Sequence, residues 1–166
     1  VWQSYGQDGS HYSVRGQRFS AAGAPAGFEF QVNSFTTGPQ RDPSVAMNDA
    51  GDFVVAWQSY LQDGSFYGIS GQRFSAAGTA LGTEFPVNAV TDNNQVVAAV
   101  TADGVGNFVV VWEDKAADGS DYGIFGQRFD AAGATLGSQF RANTRTTFQQ
   151  RNPAIAANDA GEFVVT

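Results

Sequence analysis

One sentence of residues is written three times in this chain. Residues 122–133 read YGIFGQRFDAAG, residues 67–78 read YGISGQRFSAAG, and residues 12–23 read YSVRGQRFSAAG. A fixed period is the strongest constraint a sequence can place on its fold, because each copy must adopt the same local structure. Sliding the sequence by 55 residues aligns nearly all of it without gaps. Trp2 falls on Trp57 and Trp112, Asn33 on Asn88 and Asn143, and Phe53 on Phe108 and Phe163. The repeats run 1–55, 56–110 and 111–165, Thr166 begins a fourth, and residues 1–166 form a single repeat domain split inside a strand at both ends. The sequence opens on Val1 rather than Met, so a processed product or an excised piece of a longer chain is expected.

Each period contains four strand-like segments, read in the copy that spans residues 28–75. They are FEFQVN (28–33), PSVAMN (43–48), DFVVAWQS (52–59) and YGISGQRFS (67–75). Their β-branched and aromatic content favours strands over helices. The intervening NDAG, QDGS and AAG segments are hairpin punctuation, with Gly and Asx residues where tight turns need them. The stretch 34–42 joins the first segment to the second, and no helix is expected.

The third segment restricts the architecture further. Phe53, Val55 and Trp57 point one way, Val54 and Ala56 the other, and both sets are apolar. A strand covered on one face only would alternate apolar with polar residues. This one needs protein on both faces, as in small four-stranded antiparallel sheets stacked as the blades of a β-propeller. Three blades are fewer than such rings use, so a partial or oligomer-completed propeller is expected. A β-trefoil, also built from three four-stranded repeats, is the alternative.

The order F.VN, P.VA, G.FVV.W.S, DGS.Y.I.GQRF, AG resembles blades of bacterial sialidase-like (Asp-box-related) β-propellers. That resemblance covers the whole chain. It implies a module of large secreted or surface repeat proteins, in an extracellular, cell-surface or periplasmic setting, often beside calcium-binding or cadherin-like modules. It implies no particular activity, since propellers serve as hydrolases, lectins, scaffolds and adhesins alike. The turn around Asp63, Gly64 and Ser65 matches the Asp-box only loosely.

Composition excludes several classes. The net charge is −7, with Lys115 the only lysine beside eight arginines, which disfavours nucleic acid and anionic lipid as partners. No apolar run reaches the length of a membrane span. There is no cysteine, hence no disulfide, thiolate metal site or Cys nucleophile.

Asp8, Asp63 and Asp118 sit in D-G-S turns, where an Asx-turn explains them; the sharper reading is weak Ca²⁺ ligation, which needs more oxygens than one Asp per turn supplies. Arg18, Arg73 and Arg128 could be imagined as a carboxylate clamp, but three identical blades argue for packed stems bonded to a neighbouring carbonyl or carboxylate. Tyr12, Tyr67 and Tyr122 are candidate sugar-stacking platforms or packing residues. Phe125 replaces Arg15 and Ser70 and is a candidate contact with a partner chain. The turn acids Asp49, Asp103 and Asp159 suit hairpins, and His11 is alone. Glu29 and Glu84 are repeat-matched, while Glu113 and Asp114 must point to opposite faces of a strand.

An active site needs unlike groups converging on one place. Three copies of one surface offer one role three times, which suits a framework or a multivalent surface. The expected function is a non-catalytic structural, adhesion or protein-interaction scaffold. Its partners are further blades or other protein chains. A lectin-like glycan binder is the alternative, and a sialidase-like hydrolase ranks last.

Overall fold

The computed structural model describes residues 1–119 and 121–166. All regular structure among them is β. The first sheet holds β1 (Trp2–Tyr5), β2 (Tyr12–Gly16) and β3 (Phe30–Gln31). The second holds β4 (Gln40–Met47), β5 (Phe53–Tyr60), β6 (Tyr67–Phe74) and β7 (Ala80–Pro86). The third repeats it with β8 (Gln95–Ala102), β9 (Phe108–Lys115), β10 (Tyr122–Phe129) and β11 (Phe140–Arg141). The fourth holds β12 (Ile155–Ala157) and β13 (Phe163–Val165). Strands follow one another in chain order within each sheet and pair antiparallel throughout.

Hairpin turns fall where the sequence places them. Gly51, Gly64 and Gly78 all take positive φ, at 87°, 89° and 82°. Two details differ from the sequence reading. The FEFQVN segment closes the sheet of the strands before it, with Phe30 and Gln31 paired to Gly16 and Arg15, rather than opening the sheet of the strands after it. The PSVAMN strand begins earlier, at Gln40, because a bulge between Arg41 and Ser44 absorbs the interruption. Pro43 sits in that bulge on the first strand of its sheet, where its missing N–H breaks no ladder bond.

The bulge recurs in the third sheet, and its left-handed residue recurs in all three copies, at Asp42, Val97 and Asn152, with φ of 50°, 54° and 57°. Each turns its N–H toward the preceding sheet, where it donates to Gln3 Oε1 at 3.0 Å, Gln58 Oε1 at 3.2 Å and Glu113 Oε1 at 2.7 Å. Left-handed backbone suits Asp and Asn but strains β-branched Val97.

The sheets stack face to face. Phe53, Val55 and Trp57 of β5 pack with Val14 and Val32 of the first repeat. Val54 and Ala56 point the other way and pack with Phe108, Val110 and Trp112 of β9. Val109 and Val111 continue the stack toward Ile155, Phe163 and Val165. Trp57 and Trp112 are both 0% exposed, so both faces of the third segment are covered, as its pattern requires. Strands of different repeats share no sheet except where the period itself crosses one, which sets the fold apart from a trefoil barrel. The second, third and fourth sheets meet through their first strands, β4 beside β8 and β8 beside β12.

The G-Q-R-F motif is a packing device. A Cβ on Gly16, Gly71 or Gly126 would lie 2.7, 2.7 or 2.6 Å from the ring of Phe30, Phe85 or Phe140, so each glycine makes room for an aromatic ring across its strand. Gln17, Gln72 and Gln127 tie down their hairpins through backbone carbonyls. The motif phenylalanines stack on their strand partners, Phe53 on Phe74 at 5.0 Å and Phe108 on Phe129 at 4.8 Å. Arginine links repeats: Arg18 Nη1 donates to the Ala76 carbonyl at 2.6 Å and Arg73 Nη1 to the Ala131 carbonyl at 2.7 Å.

Trp57→Ala should lower unfolding stability by about 3–5 kcal/mol, whereas Trp2→Ala, at a matched but exposed position, should cost about 1 kcal/mol or less, as read by urea denaturation. Val97→Asn, copying Asn152, should raise stability by about 1 kcal/mol by relieving the strained bulge, visible as a higher melting temperature.

Candidate functional site

The D-G-S turns are closed by their own carboxylates. Asp8 Oδ1 accepts the Ser10 N–H at 3.0 Å and Asp63 Oδ1 the Ser65 N–H at 3.1 Å. The second oxygen of Asp63 faces Asn88 Nδ2 at 3.5 Å, and that of Asp118 faces Asn143 Nδ2 at 3.3 Å. Ser120, the last residue of the third such turn, lies outside the described residues. Asp121 accepts a hydrogen bond from Gln149. Among the described residues no three acidic or histidine side chains converge as a metal cluster would.

The repeated tyrosines sit against their own sheets. Tyr12 meets Tyr5 edge-on at 5.2 Å and has the Arg41 guanidinium over its ring at 4.4 Å. Tyr67 packs on Tyr60 at 5.0 Å, and Arg151 lies over Tyr122 at 3.9 Å. Phe125 is half-buried against the core between the second and third sheets. Asp103 Oδ1 caps its turn through the N–H groups of Val105, Gly106 and Asn107, and Asp49, Asp159 and His11 are exposed.

A polar frame, buried in its first two copies and half-buried in the third, runs beneath the D-G-S turns. Asn33, Asn88 and Asn143 each accept a backbone N–H, from Val14, Ile69 and Ile124. Their amides donate to Gln40, Gln95 and Gln150, seven residues on. These glutamines in turn hold the loop carbonyls of Thr37, Asp92 and Thr147. The asparagine period was visible in the sequence. The glutamine period was equally visible, but a polar residue ahead of a strand carries no sign that it will be buried.

Glu113 and Asp114, both 0% exposed, do face opposite ways. Glu113 reaches the following repeat through the Asn152 N–H at 2.7 Å and Arg151 Nη1 at 3.3 Å. Asp114 accepts from Gln95 Nε2 at 3.3 Å and Trp112 Nε1 at 3.4 Å. The matched Ser59 makes neither bond, and both its hydroxyl and Trp57 Nε1 are buried without a partner. Burial pushes the Asp114 carboxyl up to about 6; the two hydrogen bonds oppose the rise and Asp118 adds to it.

One cavity breaks the repeat. It measures about 470 Å³ beside β6 and is lined by Ser59, Gln62, Asp63, Ser70, Glu84 and Asn88, with Phe85 and Pro86 at its side. Ser70 Oγ donates to Gln62 Oε1 at 3.0 Å, and Gln62 Nε2 to Glu84 Oε1 at 2.5 Å. The other Glu84 oxygen accepts the Ser34 N–H at 2.7 Å and its hydroxyl at 2.9 Å, so the carboxylate bridges two repeats. Gln139 at the matched position accepts the Ala89 N–H at 3.2 Å.

No family model matches the chain, and no curated protein matches it significantly.

The Asp114 shift has a definite consequence for stability. Its folded pKa lies above that of an unfolded Asp, so the fold binds this proton more tightly. Its contribution is greatest below about pH 4 and is lost as pH rises to about 6. Asp114→Asn should flatten that part of the stability–pH curve and raise stability at pH 7 by of order 1–3 kcal/mol, measured by denaturant unfolding across the range.

Proposed function

We propose that this chain is a non-catalytic β-propeller repeat module, a structural or adhesive scaffold whose partners are further repeats of its own kind or other protein chains. The observation that carries this reading is the state of the two end faces. Trp2 is 39% exposed where Trp57 and Trp112 are 0%, and Phe19 is 61% exposed where Phe74 and Phe129 are buried. At the opposite end Val164 is 58% exposed where Val54 and Val109 are buried. Arg128, matched to the two arginines that bridge repeats, is likewise exposed.

Each internal junction is therefore a template for contacts that the end faces are shaped to make. The approach of the second, third and fourth sheets through their first strands supports blades arranged about an axis on that side. Exposed apolar faces invite packing against like elements. An extracellular or surface setting follows from the resemblance to bacterial sialidase-like repeats.

The lectin alternative draws less support, because guanidinium groups cover the rings of Tyr12 and Tyr122 that a sugar would need. The hydrolase reading draws less still, since Arg18 and Arg73 are spent on carbonyls of the next repeat.

Sedimentation of the 166-residue chain at high micromolar concentration should reveal association. Val164→Asp should weaken it by about tenfold or more without changing the circular dichroism, since a desolvated carboxylate opposes closure of the face. A chain that stays monomeric at that concentration would count against the scaffold reading.

A further inference from the structure

The cavity beside β6 has a counterpart in the first repeat, and there it is filled by the protein itself. Arg15 occupies the position of Ser70, and its Nε lies 3.3 Å from Glu29 Oε1, with its side chain only 15% exposed. Arg15 Nη1 also donates to Gln31 Oε1 at 3.4 Å. The same Glu29 oxygen accepts the Gln7 amide at 2.7 Å, as Glu84 Oε1 accepts that of Gln62. The two sites thus share a Gln–Glu frame and differ in the cation. In the third repeat both parts have gone together: Phe125 stands where the arginine was, Gln139 replaces the carboxylate and Ala117 replaces the glutamine. The second repeat keeps the carboxylate and sets it beside a small residue, Ser70, at the cavity.

Three further features suit that space to a cation. Among the described residues no Arg, Lys or His lines it, while Asp63 adds a second carboxylate. Ser59 lines it too, 1% exposed and with its hydroxyl unpartnered, so an acceptor for a donor-rich ligand waits in the wall. Phe85 and Pro86 supply an apolar side along which an aliphatic stem can lie.

We propose that the cavity bounded by Ser59, Gln62, Ser70 and Glu84 is a guanidinium-binding site, taking from outside the group that Arg15 supplies within the first repeat. Glu84 Oε1 accepts the guanidinium N–H, Ser59 Oγ accepts a second, and the planar fork of the ligand suits such spaced acceptors better than a lysine ammonium does. The group comes from an arginine side chain of a partner or from a free guanidino compound. The overall charge of −7 favours either.

Calorimetric titration of the intact chain with N-acetyl-arginine amide, a Gly-Arg-Gly peptide and N-acetyl-citrulline amide tests the assignment. Both arginine probes should bind and the uncharged citrulline probe should not. Tighter binding of the peptide assigns the site to a partner's side chain, and tighter binding of the amide to a free compound. Ser70→Arg, which copies the first repeat, should abolish binding by filling the site. Glu84→Gln, which copies Gln139, should weaken it by about tenfold or more. Both changes restore residues that a sister repeat already folds with, so loss of binding should come with unchanged circular dichroism. Absence of heat with both arginine probes, equal binding of citrulline, or binding undiminished in Ser70→Arg would overturn the proposal.

Discussion

Everything in this molecule depends on the need to cover both faces of one strand. A segment that reads Phe-Val-Val-x-Trp buries three side chains on one side and two on the other. It is stable only where a sheet lies against each face. Hydrophobic burial of this kind is non-directional, so it sets the spacing of the stack without fixing its register. Directional contacts supply the register. The bulge N–H of Asp42, Val97 or Asn152 reaches back to a glutamine or glutamate of the sheet before it, and Arg18 or Arg73 reaches forward to the next turn. The bulge contact crosses all three junctions at matched places and the arginine contact the first two, which is why the junctions look alike although their core residues are not identical.

The sequence made the strands, turns and two-sided burial legible because each follows from local pattern. The grouping of strands into sheets was less so. FEFQVN lies ahead of PSVAMN in the chain but pairs with the strand behind it, and no local feature distinguishes a strand that closes one sheet from a strand that opens the next. The bulge was hidden for a related reason: Pro43 reads as a strand start, and only the backbone at Asp42 reveals that the strand has already begun.

Site features were legible in proportion to their repetition. The D-G-S carboxylates and the motif arginines recur, and their roles recur in two copies each: Arg18 and Arg73 bridge repeats, and Asp63 and Asp118 face the frame asparagines. Asp114 and Ser70 do not recur, and the sequence pattern marks both as departures without assigning either a bonding partner. Both acquire meaning by comparison with their sister positions. Ser59 and Asp114 occupy one place in two frames, and the carboxylate gains the bonds to Trp112 and Gln95 at the expense of a buried charge. Arg15, Ser70 and Phe125 likewise occupy one place three ways, and the smallest, Ser70, leaves its frame both acidic and open.

Near-identity between copies carries a hazard as well as an economy. The hairpin that offers Ala76 to Arg18 is almost the same as the one that offers Ala131 to Arg73, so a chain emerging during synthesis can dock one copy in another's berth. The residues that differ, Arg15, Ser70 and Phe125 among them, leave the copies chemically distinct within a shared frame.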